Sequence, residues 1–499
     1  MTSTLQHKQA IAKAERSLQH MLETIVQDEH RPVFHAVPKV NWMNDPNGLI
    51  YYNQAYHLFY QHNPFSAEWG NIHWAHMKSE NLIDWEHLPI ALAPSEAYDR
   101  DGCFSGSAIE HNGKLYLFYT SNIFTSPQGL PDDLLQQQCL AVSEDGGNTF
   151  IKYAGNPLIS SPPAEAGDNN HFRDPKVWKH DELWYMVVGT KKDGKGRVLL
   201  YQSANLLDWT YKSVLVESDG SMGHMYECPD LFTLDGYDIL LLSPEGMLDY
   251  PVSGYYVGRL NYETGIYEHG EFHLLDHGYH FYAPQTFQDP SGRRILIGWM
   301  PMKGAQLNKT WSGSMTFPRE LALGSDQRLL ITPVKEISKL RVDAEPKVEI
   351  DSESCFNGKP MLNNEERYIY SSSAMELLVT FDLEELTAKQ IGINFFASAK
   401  EQAVLGYEVE ANSLFIDFGG MSASSYARKM FVLGDQRQKK LTLQLLLDHS
   451  TVEVFVNDGE FVFSALMFPD LESKDISLFA KDGFVHVEQL KLYQLELNK

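Results

Sequence analysis

The chain has 499 residues, more than one hydrophobic core ordinarily supports, so two domains are expected. Its 41 basic and 66 acidic residues leave a formal charge of −25, which argues against nucleic acid or an anionic membrane as partner. Cys103, Cys139, Cys228 and Cys355 lack metal-ligand spacing and read as free thiols in a reducing compartment.

Residues 1–28 are charged and rich in Gln and His, with no apolar core of signal-peptide length. Ile11, Ala14, Leu18, Leu22 and Ile25 recur at helical spacing, which predicts an amphipathic helix packed on the body. No run of about 18 apolar residues occurs, so no membrane span is expected and a cytoplasmic location is.

Beyond residue 30 one plan repeats. Asn44-Asp45-Pro46-Asn47-Gly48, Arg173-Asp174-Pro175-Lys176-Val177 and Glu227-Cys228-Pro229-Asp230-Leu231 each set an acid at a Pro turn that opens into an apolar run. After each run come a polar turn and an alternating stretch, such as Tyr56 to Tyr60, Leu183 to Val187 and Asp238 to Leu242. Two further copies, from Phe104 and from Tyr282, lack the acid. A period of about 50 to 70 residues points to one supersecondary unit per repeat. Between copies, Ser79 to Trp85, Ser143 to Phe150 and Ser203 to Trp209 place Ser, a polar turn and an aromatic at matching offsets, as outer strands of a blade would.

Evenly spaced alternating strands closed radially make a β-propeller, in which the starts of the inner strands converge at one mouth. Asp45, Asp174 and Glu227 would meet there. An Asp before Pro is ordinarily a turn residue, but three at equivalent repeat positions reverse that reading. Trp85 and Trp209 read as blade core, and His62, His73 and His76 as structural or surface groups. After Pro333 to Leu340, a short helical linker, strands are predicted at 376–381, 441–447 and 452–456. Asn457-Asp458-Gly459 then turns into Phe461-Val462-Phe463. The expected organisation is all-β: an N-terminal helix (1–30), a five-bladed β-propeller (31–332), a linker (333–345) and a C-terminal β-sandwich (346–499).

Two carboxylates across a glycosidic bond suffice for its hydrolysis, and a third can hold sugar hydroxyls. Trp42, Trp69, Phe104, Tyr282, Trp299 and Trp311 offer apolar faces to a sugar ring, and Asn44, Gln61, Ser105 and Arg173 offer polar contacts.

At these residues the chain resembles the β-fructofuranosidase family of glycoside hydrolases, the invertases and their relatives. Trp42-Met43-Asn44-Asp45-Pro46-Asn47-Gly48, Tyr60-Gln61-His62-Asn63-Pro64, Trp69-Gly70, Phe104-Ser105-Gly106-Ser107, Arg173-Asp174-Pro175, Glu227-Cys228-Pro229 and Met315 to Leu321 carry the likeness across nearly the whole chain. The resemblance implies a five-bladed propeller with a C-terminal sandwich and a retaining mechanism. It makes Asp45 the nucleophile, Glu227 the acid and base, and Asp174 the transition-state stabiliser, with Met43 among the sugar contacts. Retention needs carboxyls about 5 Å apart. An acid working near neutral pH needs a raised pKa, which a neighbouring carboxylate and a closed pocket supply.

His280 departs from the pattern, which commonly has Asp there. Cys228 is positioned to tune Glu227 or simply to pack. The lead-in His30 to His35 and the expected location resemble the bacterial branch acting on sucrose 6-phosphate, with sucrose and short fructo-oligosaccharides as competing substrates. Lys191, Lys192 and Arg197 are either phosphate contacts or a solvated charged loop. A fructosyltransferase and a non-catalytic sugar-binding module are the alternatives, and the second would lack one carboxylate. The expected state is a monomer or homodimer. No metal or organic cofactor is implied, because protonation and covalent capture do the chemistry.

Overall fold

The computed structural model describes residues 2–24, 28–126, 130, 132–247, 252–302, 309–350, 365–421, 428–434 and 438–497; Ile25 and Cys355 lie outside them. The chain forms two compact units, one of Met1–Val26 with Ala36–Leu329, the other of Gln27–His35 with Leu330–Lys499.

In the first unit, the helix Thr2–Thr24 buries Ala14 and Leu18 against Val40 and Ile90, with Ile11 and Leu22 packed alongside. The remainder, among the described residues, is five sheets. Their first strands are Asn41–Tyr52, Cys103–His111, Phe172–His180, Met225–Leu234 and Tyr282–Gln288. Each first strand lies against the first strand of the next sheet, and the fifth returns to the first, so the ring is closed. Trp311–Ser312 seals it by pairing parallel with Asn41 and Trp42 of the first sheet. This is a β-propeller, with hydrophobic layers between successive sheets. Phe59, Trp74, Leu117 and Tyr119 fill the first such layer, and Phe118, Val177, Met186 and Leu199 the second.

The polar turns repeat in detail. Asn81 Oδ1 accepts the backbone N–H groups of Ile83 and Asp84, and Asn205 Oδ1 those of Leu207 and Asp208. Leu82 and Leu206 take the same left-handed conformation, φ 67° and 69°. Trp209 packs into the second layer, as expected of blade core.

Each first strand also breaks register with its hairpin partner at the same place. The irregularities fall between Met43 and Pro46, Phe104 and Gly106, Arg173 and Lys176, Glu227 and Asp230, and Tyr282 and Gln285. A bulge re-aims side chains and is common beside active sites. Here it repeats around the ring, with positive φ at Asp174 (68°), Cys228 (49°) and Ala283 (50°).

Among the described residues, the second unit holds two six-stranded antiparallel sheets, a β-sandwich. The predicted strands are present as Met375–Asp382, Lys440–Asp448 and Thr451–Val456. Thr451–Val456 pairs with Phe461–Leu466 through the turn at Asn457–Gly459, whose residues all have positive φ. Gly459 is required there, because a Cβ would come within 2.5 Å of the Ile331 carbonyl. The linker is a 3₁₀ turn, Lys335–Leu340, anchored by buried Ile337 and Leu340. The segment before residue 36 joins this unit because Asp448 accepts the backbone N–H groups of Val33 and Phe34.

Candidate active site

The repeated bulges bring the three carboxylates of the sequence motifs together, from the first, third and fourth sheets. The thiol of Cys228 lies 3.5 Å from Asp45 Oδ2 and 3.5 Å from Asp174 Oδ2, and the Cys228 backbone N–H donates to the same Asp174 oxygen at 2.8 Å. Cys228 therefore links the two aspartates. Burial, with Asp174 and Asp45 adding to it, keeps its pKa well above the usual thiol range, so it stays a neutral donor.

Asp45 is held on both oxygens. Asn44 Nδ2 donates to Oδ1 at 3.0 Å; Ser105 Oγ, at 2.6 Å, and Gln61 Nε2, at 3.3 Å, donate to Oδ2. Asn44 is fixed in turn by Trp42 Nε1 at 2.7 Å and by Gln61 Oε1 at 3.0 Å. Burial raises the Asp45 pKa, Ser105 opposes the rise, and the charge of Glu227 adds to it. Asp174 is pushed up to about 7, by burial first, with Arg173 opposing and Glu227 and Asp45 reinforcing. Thr120 Oγ1 accepts its backbone N–H at 2.9 Å, which fixes the bulge.

Glu227 is gripped from two sides. Arg173 Nε and Nη2 donate to Oε1 at 3.1 and 2.8 Å, and the Tyr282 hydroxyl donates to Oε2 at 2.5 Å. Arg173 makes further bonds from Nη1 to Gln136 Oε1 and His171 Nδ1, and from Nη2 to Glu245 Oε2 at 3.0 Å. Its five donors are thereby all engaged. Burial works against its charge, but Glu227, Asp174 and Glu245 outweigh that and raise its pKa. Arg173 thus orients Glu227.

The expected aromatics divide into two groups. Trp69 is 50% exposed, stands edge-on to Phe104 and offers an open apolar face. Trp42 and Trp299 meet edge to face at 5.8 Å, both half-buried. Tyr282 is half-buried, with its hydroxyl on Glu227. Met43, Ser105 and Trp311 expose no surface. Ser105 holds Asp45, and Trp311 is itself part of the pair that closes the ring, opposite Asn41. Gly313 is needed next to it, with φ 88° and no room for a Cβ, which would fall 2.3 Å from the Met43 carbonyl.

His62, His73 and His76 are buried, and burial lowers the first two to about 4 and about 3 and the third well below its usual range. His62 Nδ1 bonds the Trp42 carbonyl and supports the pocket wall. His280 is buried. The cations of the third sheet are already paired, Lys191 with Asp132, Lys192 with Asp168 and Arg197 with Glu217, which favours the charged-loop reading.

Sequence reasoning missed Gln136, His171 and Glu245. Only Glu245 left a trace, since Pro244-Glu245-Gly246 is another acid at a Pro turn, on the strand paired with that of Glu227.

A propeller mouth with paired buried carboxylates and an aromatic wall defines a glycoside hydrolase. Residues 35–333 match the glycosyl hydrolases family 32 N-terminal domain and residues 336–494 the family 32 C-terminal domain, and the chain belongs to this family. It is 37% identical to the sucrose-6-phosphate hydrolase of Escherichia coli, over 93% of this chain and 94% of that one. It is also 37% identical to the raffinose invertase of Escherichia coli, over 91% and 92%. Among solved structures, the family 32 β-fructofuranosidase of Bombyx mori superposes with a TM-score of 0.82 at 33% identity, covering 98% of each chain.

Proposed function

We propose that the protein hydrolyses the terminal β-D-fructofuranoside bond of sucrose 6-phosphate or sucrose with retention of configuration, acting in the cytoplasm as a monomer or homodimer. One observation carries the reading: three carboxylates stand at equivalent bulges of one ring, each with a different environment. Asp45, held by four donors that fix its direction, attacks the anomeric carbon of fructose and forms an ester. Glu227, clamped by Arg173 and Tyr282, gives its proton to the leaving glycosidic oxygen and then takes one from the water that opens the ester. Asp174 receives the Cys228 N–H on Oδ2, while among the described residues nothing donates to Oδ1. That oxygen is available to fructose hydroxyls as positive charge builds on the ring. Trp69 stacks on the sugar, and no cofactor is required.

The test is the ratio of kcat/KM for sucrose 6-phosphate to that for sucrose. A ratio above about ten, or about 1.4 kcal/mol of transition-state preference, assigns a phosphate-selective enzyme. A ratio near one assigns general β-fructofuranosidase activity. Accumulation of trisaccharide at high sucrose, in place of equimolar glucose and fructose, would replace hydrolysis by fructosyl transfer.

A further inference from the structure

Glu227 has an electrostatic problem that follows from its own clamp. A carboxyl within a hydrogen bond of a guanidinium is driven towards its ionised form. Yet the first half of the proposed reaction needs it protonated. Arg173 and Glu227 alone would be neutral as an ion pair and would gain a positive charge on taking the proton. The structure places a second carboxylate on the same nitrogen: Arg173 Nη2 donates to Glu227 Oε1 at 2.8 Å and to Glu245 Oε2 at 3.0 Å. The three groups together are singly negative when both acids are ionised and neutral with one proton bound.

We propose that Glu245 is a positioning residue for the acid step: as the second counter-ion of Arg173, it offsets the guanidinium charge and lets Glu227 hold the proton that the leaving oxygen takes. This rests on the reading of Glu227 as the acid. As the fructosyl C–O bond breaks, its electron pair stays on the departing oxygen, which takes the Glu227 proton. Glu227 is then an anion that Arg173 can pair fully, and the attacking water later returns a proton to it. One guanidinium shared between two carboxylates thereby serves both protonation states of Glu227.

The surroundings are consistent with this division of labour. Glu227 is faced by Arg173 from the third sheet, Tyr282 from the fifth, the neutral thiol of Cys228 on its own strand, and Asp45 and Asp174 across the pocket. Glu245 is faced by Arg173, by the charge of Glu227, and by His224, whose Nε2 lies 3.9 Å from Glu245 Oε2. The Glu245 side chain is 40% exposed, so its replacement by an isosteric amide leaves no buried cavity.

The deciding measurement is the pH profile of kcat/KM for the E245Q, E245D and E227Q variants. It is taken with sucrose and with 4-nitrophenyl β-D-fructofuranoside, whose phenolate leaves without a proton. For E245Q the basic limb on sucrose is expected to move about one pH unit towards acid, with roughly tenfold loss above it and little change in KM. The nitrophenyl substrate should lose little, and E245D should recover most of the sucrose activity. An unmoved limb, equal losses on both substrates, or a rise in KM at constant kcat would overturn the proposal. E227Q separates the two readings. Full sucrose turnover in that variant removes Glu227 as the acid, whereas its loss beside an unmoved E245Q limb removes only the counter-ion role of Glu245.

Discussion

Replacing Asp45 by Asn is expected to lower kcat on sucrose by at least about 10⁴-fold, more than about 5 kcal/mol of transition-state stabilisation, with a far smaller change in KM. The amide keeps the size of the side chain and its contact with Cys228, Gln61 and Ser105, but it cannot attack the anomeric carbon. Stability moves the other way. The Asp45 pKa is raised in the folded protein, chiefly by burial, so at neutral pH its charge works against folding and that cost grows as pH rises through the folded value. The Asn variant should therefore melt at the same temperature as the native protein or above it. Retained turnover would remove Asp45 as nucleophile, and a sharp drop in melting temperature would mean that the loss reflects folding and not chemistry.

The same tension shows which parts of the site were legible in the sequence. The acids at the Pro turns stood out because a bulge on an inner strand writes a local signature: a Pro that needs no ladder hydrogen bond, then the apolar run. The same holds for the paired Asn81 and Asn205 turns, where side chain and backbone bond within four residues. What surrounds the acids was not legible, because it is assembled across sheets. Arg173 reaches Glu227 and Glu245 over 54 and 72 residues, and Cys228 reaches Asp45 over 183. Nothing local in the sequence encodes such contacts. Met43 and Trp311 are fully buried, which their place beside Asn44 and Ser312 in the sequence does not announce. The expected short helical linker is present as a 3₁₀ helix, Lys335–Leu340.

The second large effect belongs to the other unit and to its stability. His35 lies between two acids: Nδ1 is 2.9 Å from Asp448 Oδ2, Nε2 is 2.8 Å from Glu453 Oε1, and none of the three side chains is exposed. Both ring nitrogens can donate only in the imidazolium form. Burial opposes that form, but the two carboxylates outweigh it and raise the His35 pKa to about 9. A folded value above the ordinary 6.5 means stability that is complete below pH 6.5 and is lost as pH rises through 9. The shift is worth about 3 kcal/mol. Replacing His35 by Leu takes the imidazolium away from two buried carboxylates and should cost about 3–5 kcal/mol at pH 6.5. Asp448 also accepts the N–H groups of Val33 and Phe34, so losing His35 should loosen the segment that these bonds tie down. Urea unfolding of both proteins at pH 6.5, 7.5 and 9 checks this, followed by a fluorescence probe in the second unit. The native midpoint should fall with pH while the H35L midpoint starts low and changes less. A native midpoint flat from pH 6.5 to 9 would mean that His35 is not charged in the folded protein.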